Sequence, residues 1–499
     1  MRFVDTELIQ VRELGESGPD KYAILSHTWS HGEVTYQDMR AGSALGRIGY
    51  SKVEQACKIA RDSRYRYLWM DTCCIDKTSS AEVSQAINSM FQYYQRADCC
   101  IAFLSDWDTA STDGLRKSRW FKRGWTLQEL LAPKRVEFYD ANWQYRGDKA
   151  KLSADIQAAA KIQRGVLDGK ILLEDVPVAV RMSWASSRET KYIEDTAYCL
   201  LGIFDINMPL LYGEGNKAFL RLQEEIIKQS TDMSIFAWRS KDNDQKYTGL
   251  LATSPELFAS METLVFNPDG LVQSREYNIT NRGIRFHLPL TQDEVRGYFL
   301  LPVNHGFEEG ENLAVFLRQV GMDLFVRARP CERLEPLAGS HGVSRQIQLA
   351  DRSFHVKILS PEQSNTIERH VLSIQAPKEL TLVYVEPTGS WSPSEEILYA
   401  GHTGVFVGCM HYSSSEWSDA FDTFVLICHF AKNQWSYSLV RGDYWTEIKP
   451  RFYERYRNGA NLTVLDTQLV LPHLWEEGNT KVVKTVLRDG CLSIRISHE

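Results

Sequence analysis

Tyr22-Ala-Ile-Leu-Ser-His-Thr-Trp29 is a short apolar run that stops abruptly at a serine, a histidine and a tryptophan. Its length and the polar loop beyond it, through Gly32, read as a buried strand. Two similar runs follow. Tyr67–Met70 ends at Asp71-Thr72-Cys73, and Cys99–Leu104 ends at Ser105-Asp106. The segments between them have helical spacing. Ser51–Arg61 carries Val53, Ala56, Cys57 and Ala60 on one side. Ser79-Ser-Ala-Glu82 has the pattern of a capping box. Val83, Ile87, Met90, Phe91, Tyr94 and Ala97 then form one apolar stripe. Residues 105–118 are polar and aperiodic and read as a loop. Val136–Tyr139 is a fourth strand. Strands alternating with helices predict an α/β domain built on a parallel, doubly wound sheet.

That topology places a site before any chemistry is considered. In open α/β sheets, ligands bind beyond the carboxyl ends of the strands. Those ends carry Ser26, His27 and Trp29, then Asp71, Thr72 and Cys73. Polar groups beside an aromatic wall suit a nucleotide or a sugar. Each has a plainer role as well: His27 as a satisfied loop histidine, Asp71 as a turn cap, Cys73 as core. No clear basic partner activates the Cys73 thiol. A second stretch, Ser118-Arg-Trp-Phe-Lys-Arg-Gly-Trp-Thr-Leu-Gln-Glu-Leu-Leu131, reads as a helix opening near Arg123. Trp125 and Glu129 then share a face, while Leu127, Leu130 and Leu131 turn to a core. Apolar contact raises a carboxylate pKa; the helix N-terminus and Arg123 favour its charged form. Glu129 is therefore either a catalytic acid or a buried cap and ion-pair partner, since structural networks produce the same clusters.

Four stretches, Tyr22–Trp29, Tyr67–Lys77, Ala86–Met90 and Arg123–Pro133, together resemble the fungal heterokaryon-incompatibility (HET) domain. The resemblance covers roughly Ala23 to Val136 and continues more loosely to about Trp238. It implies a role in self/non-self recognition and programmed cell death after fusion of unlike hyphae. It also implies a divergent TIR-like, flavodoxin-like core. Enzymatic TIR domains cleave NAD at the nicotinamide–ribose bond with a glutamate in a Trp-x-x-x-Glu pattern, which Trp125 and Glu129 match. On this resemblance Glu129 is the expected catalytic residue. By position alone, at the strand ends and beside Glu129, Ser26, His27, Trp29, Asp71, Thr72, Cys73, Arg123 and Trp125 are the expected nucleotide contacts. NAD is then a substrate, no cofactor is needed, and self-association or an incompatibility partner protein is expected. A non-enzymatic adaptor and a nucleotide sensor without turnover are the competing functions.

The rest of the chain sets bounds. It has 499 residues, a formal net charge of -7 and ten cysteines. That length predicts several domains, and the charge gives no support to nucleic acid or an anionic membrane as main partner. The cysteines show no C-x-x-C and include adjacent pairs in apolar runs, which reads as free thiols in a reducing compartment. With no long apolar run, a soluble cytoplasmic protein is expected.

Residues 1–150 are read as the sheet domain and 151–240 as a helical extension packed on it. Tyr212-Gly-Glu-Gly-Asn-Lys-Ala218 imitates a dinucleotide-binding turn, or is a plain glycine turn before a helix. The polar run Ser240–Lys246 is the expected boundary. Beyond it, 247–499 reads as a mostly antiparallel β region, with a further division near Pro330. Turns are expected at Asn281–Gly283 and Arg488–Gly490, and an exposed loop at Trp391–Glu396. Cys409 and His411 share a strand face, but Cys428 and His429 point to opposite faces, so no metal site is expected.

Overall fold

A computed structural model describes residues 1–267 apart from 16–17, 109–112 and 244. It further describes 276–450 with short interruptions, and the strands Thr480–Val486 and Leu492–His498. The chain forms two compact units. The first is Met1–Arg239 joined by Leu251–Pro268 and His305–Gly310, and the second holds the remainder.

The first unit is built on a seven-stranded sheet. Its strands are β1 (Arg2–Asp5), β2 (Gln10–Glu13), β3 (Ala23–His27), β4 (Tyr67–Trp69), β5 (Cys99–Phe103), β6 (Val136–Tyr139) and β7 (Tyr145–Asp148), in the order β2-β1-β4-β3-β5-β6-β7. Strands β4, β3, β5 and β6 run parallel. Numbered among themselves they follow 2-1-3-4, the order of flavodoxin-like sheets, and the chain reverses direction across the sheet at β3 and β5. Every residue of β3, β5 and β6 is buried, as expected of strands covered on both faces. The antiparallel strands β1, β2 and β7 are additions to the predicted sheet.

The helices follow the apolar stripes. Tyr50–Asp62 links β3 to β4 and buries Val53, Ala56, Cys57 and Ala60. Ser80–Arg96 links β4 to β5, with Ser79 as its N-cap. The expected capping box forms only in part. Ser79 accepts the Glu82 N–H, but the Glu82 carboxylate turns instead to Arg2 at 2.6 Å and to the Asp76 N–H at 2.8 Å. The charged partner is the stronger one. The expected loop at 105–118 contains one helical turn, Gly114–Lys117. The extension supplies Ser153–Ala160, Val178–Ser183, Asp195–Tyr198 and Lys217–Gln229.

The chain leaves the first unit after Arg239, next to the polar run, yet two later segments return to complete it. Gln223 makes paired bonds to the backbone of Ala252 at 2.8 and 2.9 Å, and the Arg239 N–H donates to Leu257. Phe258, Met261 and Leu264 are buried.

The second unit consists of β-sheets, mostly antiparallel; the pairs Leu324–Ala328 with Arg352–Val356 and Val371–Gln375 with Leu492–His498 are parallel. Strands on both sides of Pro330 interleave in one ten-stranded sheet, and the sheets change only after Val356. A division at Pro330 would cut that sheet. Trp391–Ser392 pairs as a strand rather than forming an exposed loop. Part of that stretch and the Arg488–Gly490 turn lie outside the described residues. Among the described residues no helix is long and apolar enough to cross a membrane.

Candidate functional site

Glu129 sits on the helix Thr126–Leu131, with Trp125 as its N-cap. A 3-10 turn at Arg119–Lys122 precedes it. The helix therefore opens slightly later than the sequence suggests. Gly124 explains the tight entry. A Cβ there would lie 2.6 Å from Thr190 Cγ2 and 3.0 Å from Cys199 Sγ, and the Gly124 N–H donates to Glu189 at 2.9 Å. Leu127 and Leu130 are fully buried beneath. At the far end, Lys149 Nζ donates to the carbonyls of Leu130 (3.2 Å) and Pro133 (2.6 Å). A cation at a helix C-terminus both pairs orphan carbonyls and opposes the dipole.

The Glu129 carboxyl is held by a directed chain. The Trp120 indole N–H donates to Ser26 Oγ at 2.8 Å, and the Ser26 hydroxyl donates to Glu129 Oε2. Because Ser26 receives the indole proton, its own proton points at the carboxyl. Burial dominates the electrostatics and pushes Glu129 up to about 7, against the Ser26 hydrogen bond and the Arg123 charge. With 8% exposure, the group is poised near neutrality, where a catalytic carboxyl works best.

A second cluster lies at the ends of β3 and β4. His27 Nε2 is 3.3 Å from Asp71 Oδ1, and Lys52 Nζ is 3.1 Å from His27 Nδ1. A lysine donating to Nδ1 assigns the Nε2–H tautomer, which turns its N–H side toward Asp71. Lys52 is in turn paired with Glu33. Burial pulls the Asp71 pKa upward, but the His27 hydrogen bond and the Lys77 and Arg123 charges outweigh it and hold Asp71 well below the carboxylate range. The Asp71 carboxylate accepts the Trp29 indole N–H at 2.9 Å. Lys77 Nζ lies 3.4 Å from the Trp29 ring centroid and the Arg123 guanidinium 5.1 Å from it, a cation–π platform on a residue 44% exposed.

The extension supplies a third element. Asp195 accepts the Trp125 indole N–H at 3.4 Å and the Tyr212 hydroxyl at 2.9 Å. Burial pushes Asp195 up against those two hydrogen bonds. The N–H groups of Gly213 and Gly215 both donate to Glu194 Oε1, at 2.8 and 2.9 Å. The glycines reach this shape through φ values of +102° and +62°. The dinucleotide-like Gly-x-Gly turn is thus an anion-binding nest filled by the chain's own glutamate.

Glu129, Asp71, Trp29, Arg123, Trp125, Asp195 and Tyr212 converge on one cleft of about 870 Å³. Lys77, Arg119, Lys122 and Lys191 also line it. Cations over a partly apolar floor, with a buried carboxyl opening into it, suit an anionic ligand carrying aromatic rings.

Residues 22–119 match the family of the Heterokaryon incompatibility protein (HET). The HET match covers β3 to β5 and ends before Trp125 and Glu129. Residues 217–262 match a domain of unknown function, DUF8212. The chain is 42% identical over 243 residues to Vegetative incompatibility protein HET-E-1 of Podospora anserina. That alignment covers 44% of this chain and 18% of the relative, so the chain spans under a fifth of that protein. No solved structure matches.

Within the HET region the expected contacts divide. Trp29 and Asp71 line the cleft. Ser26 and His27 do not; they are buried and hold Glu129 and Asp71. Thr72 and Cys73 are buried in the turn Asp71–Cys74, and Cys73 Sγ donates to the Val34 carbonyl at 3.4 Å. Burial pushes the Cys73 thiol well above its ordinary range, as for a core cysteine. Beyond the HET region, Arg123 and Trp125 line the cleft with Glu129. Asp106, at the end of β5, accepts from Ser118 and from the Arg119 N–H at 2.7 and 2.8 Å and braces the approach to the Glu129 helix. Sequence reasoning missed Lys52, Asp195 and Tyr212. The Gly213-x-Gly215 spacing was the one visible signal of Asp195 and Tyr212.

Proposed function

We propose that this chain is an incompatibility-type signalling enzyme whose first unit cleaves NAD at the nicotinamide–ribose bond. The observation that carries the reading is Glu129, a buried carboxyl raised to about 7 that opens into a cation-lined cleft. Similarity to the HET family and to a vegetative incompatibility protein supports the signalling role. The match of Trp125 and Glu129 to the TIR pattern supports the chemistry.

In this reading the pyrophosphate lies among Lys77, Arg119, Lys122 and Arg123, and the ribose C1′ lies beside Glu129. The C1′–N bond breaks and its electron pair leaves with the ring nitrogen, neutralising the pyridinium. The ribose becomes oxocarbenium-like, and ionised Glu129 stabilises that charge, as carboxylates do in glycoside hydrolysis. Water then bonds to C1′ and gives up one proton, yielding ADP-ribose, nicotinamide and a proton. Asp71, held ionised, fixes Trp29 at the cleft wall. Incubating the purified chain with NAD and measuring nicotinamide tests the proposal. A melting shift with NAD but no nicotinamide would replace cleavage by binding alone.

A further inference from the structure

The proposed reaction leaves the buried cleft carboxyl of Asp195 without a task. Asp195 opens the short helix Asp195–Tyr198, is 6% exposed and lines the same cleft as Glu129. Its oxygens are engaged separately, Oδ2 by the Trp125 indole and Oδ1 by the Tyr212 hydroxyl. Each carboxylate oxygen has a second acceptor direction. Tyr212 is itself fixed: its ring centroid lies 5.6 Å from Tyr192 and 5.4 Å from Tyr198, and the nest that follows it clamps Glu194. This wall is an oriented acceptor set among aromatic rings. Trp125 stands one helical turn before Glu129 on the same face, and Asp195, bonded to the Trp125 indole, lines the same cleft.

We propose that Asp195 is the specificity-determining acceptor of the cleft, taking a hydrogen bond from the carboxamide N–H of the leaving pyridine ring, which seats among Trp125, Tyr192 and Tyr212. The assignment rests on the NAD-cleavage reading above. It gives the appended helices a function beyond packing, because the residues that choose the ring come from outside the HET match. The carboxamide offers N–H donors. The corresponding acid analogue of NAD offers none and sets a second carboxylate against Asp195. Sites built around a buried hydrogen-bonding group reject analogues lacking the partner far more strongly than apolar pockets do.

The test compares kcat/KM for NAD and for its nicotinic-acid analogue in the full chain, as wild type, Asp195→Asn and Tyr212→Phe. Wild type should prefer NAD by roughly a hundredfold. In Asp195→Asn the preference should collapse to about fivefold or less, because the asparagine amide is neutral and can donate to the analogue's carboxylate. Tyr212→Phe, which removes one of the two groups orienting Asp195, should give an intermediate ratio. A wild type with no preference overturns the assignment, as does a full preference in both variants. If Asp195→Asn does not fold, shown by its melting curve, Tyr212→Phe decides alone. If wild type releases neither ring, the cleavage reading fails and this inference falls with it. If wild type cleaves NAD through Glu129 without discriminating, only the Asp195 assignment falls.

Discussion

Replacing Glu129 by glutamine should stabilise the first unit at pH 8 and do little for it at pH 4. An unfolded glutamate ionises near 4.5, whereas burial pushes the folded group to about 7. Between those values the folded chain retains a proton that the unfolded chain has released. Stability contributed at this position is therefore full below 4.5, declines as pH rises toward 7, and is flat above. The gap of about 2.5 pH units corresponds to about 3 kcal/mol. Glutamine carries no charge and escapes that loss, while it still accepts from Ser26. The stability of Glu129→Gln relative to wild type should thus shift in the variant's favour by about 3 kcal/mol between pH 4 and pH 8. Contributions common to both proteins cancel in this double difference. Urea unfolding followed by tryptophan fluorescence gives the values, taken from the transition of the first unit because two units need not unfold together. An identical stability difference at both pH values, or one favouring wild type more at pH 8, would refute burial as the dominant influence on Glu129.

Three further outcomes are expected. If ionised Glu129 stabilises the transition state, kcat/KM for NAD should rise about tenfold per pH unit below 7 and level off above; a decline over that range would make the protonated form the working one. Specific activity should increase from nanomolar to micromolar protein if self-association completes the site, and constant activity with a monomeric mass throughout would count against it. A fragment of residues 1–268 should melt well above one of residues 1–239, because the shorter one strands the Gln223 amide and the Arg239 N–H, at about 1–3 kcal/mol per buried group, and loses Phe258, Met261 and Leu264. Equal melting temperatures would show that the returning segment is dispensable.

The parallel strands were legible because strands covered on both faces are continuous apolar runs, as β3 and β5 are. The antiparallel strands were not: the edges β2 and β7 lie partly in water and have no such run, β2 being Gln-Val-Arg-Glu and almost wholly exposed, while β1, though buried, offers only Phe3 and Val4 between two charged residues. Helical spacing paired Trp125 with Glu129 correctly as neighbours on one face of the cleft. It could not pair Glu129 with Ser26, which lies 103 residues away and meets it only because β3 ends beneath the Glu129 helix. Strand-end position alone could not separate groups that face the cleft, such as Asp71, from groups that turn inward one residue later, such as Thr72. Asp195 and Tyr212 were hidden for a different reason. Asp195 belongs to a short helix whose apolar content reads as packing, and Tyr212 to a glycine turn that looks like a phosphate loop until Glu194 is seen filling it. The returning segment 251–268 breaks the assumption that a polar linker ends a unit.

The most direct measurement is nicotinamide release from NAD by the purified full chain, wild type beside Glu129→Gln, with a melting curve for each. The account predicts release by wild type and a roughly hundred- to thousandfold loss in the variant, whose fold persists. No release by wild type above a protein-free control, from nanomolar to micromolar protein, would contradict it. So would release by Glu129→Gln at the wild-type rate.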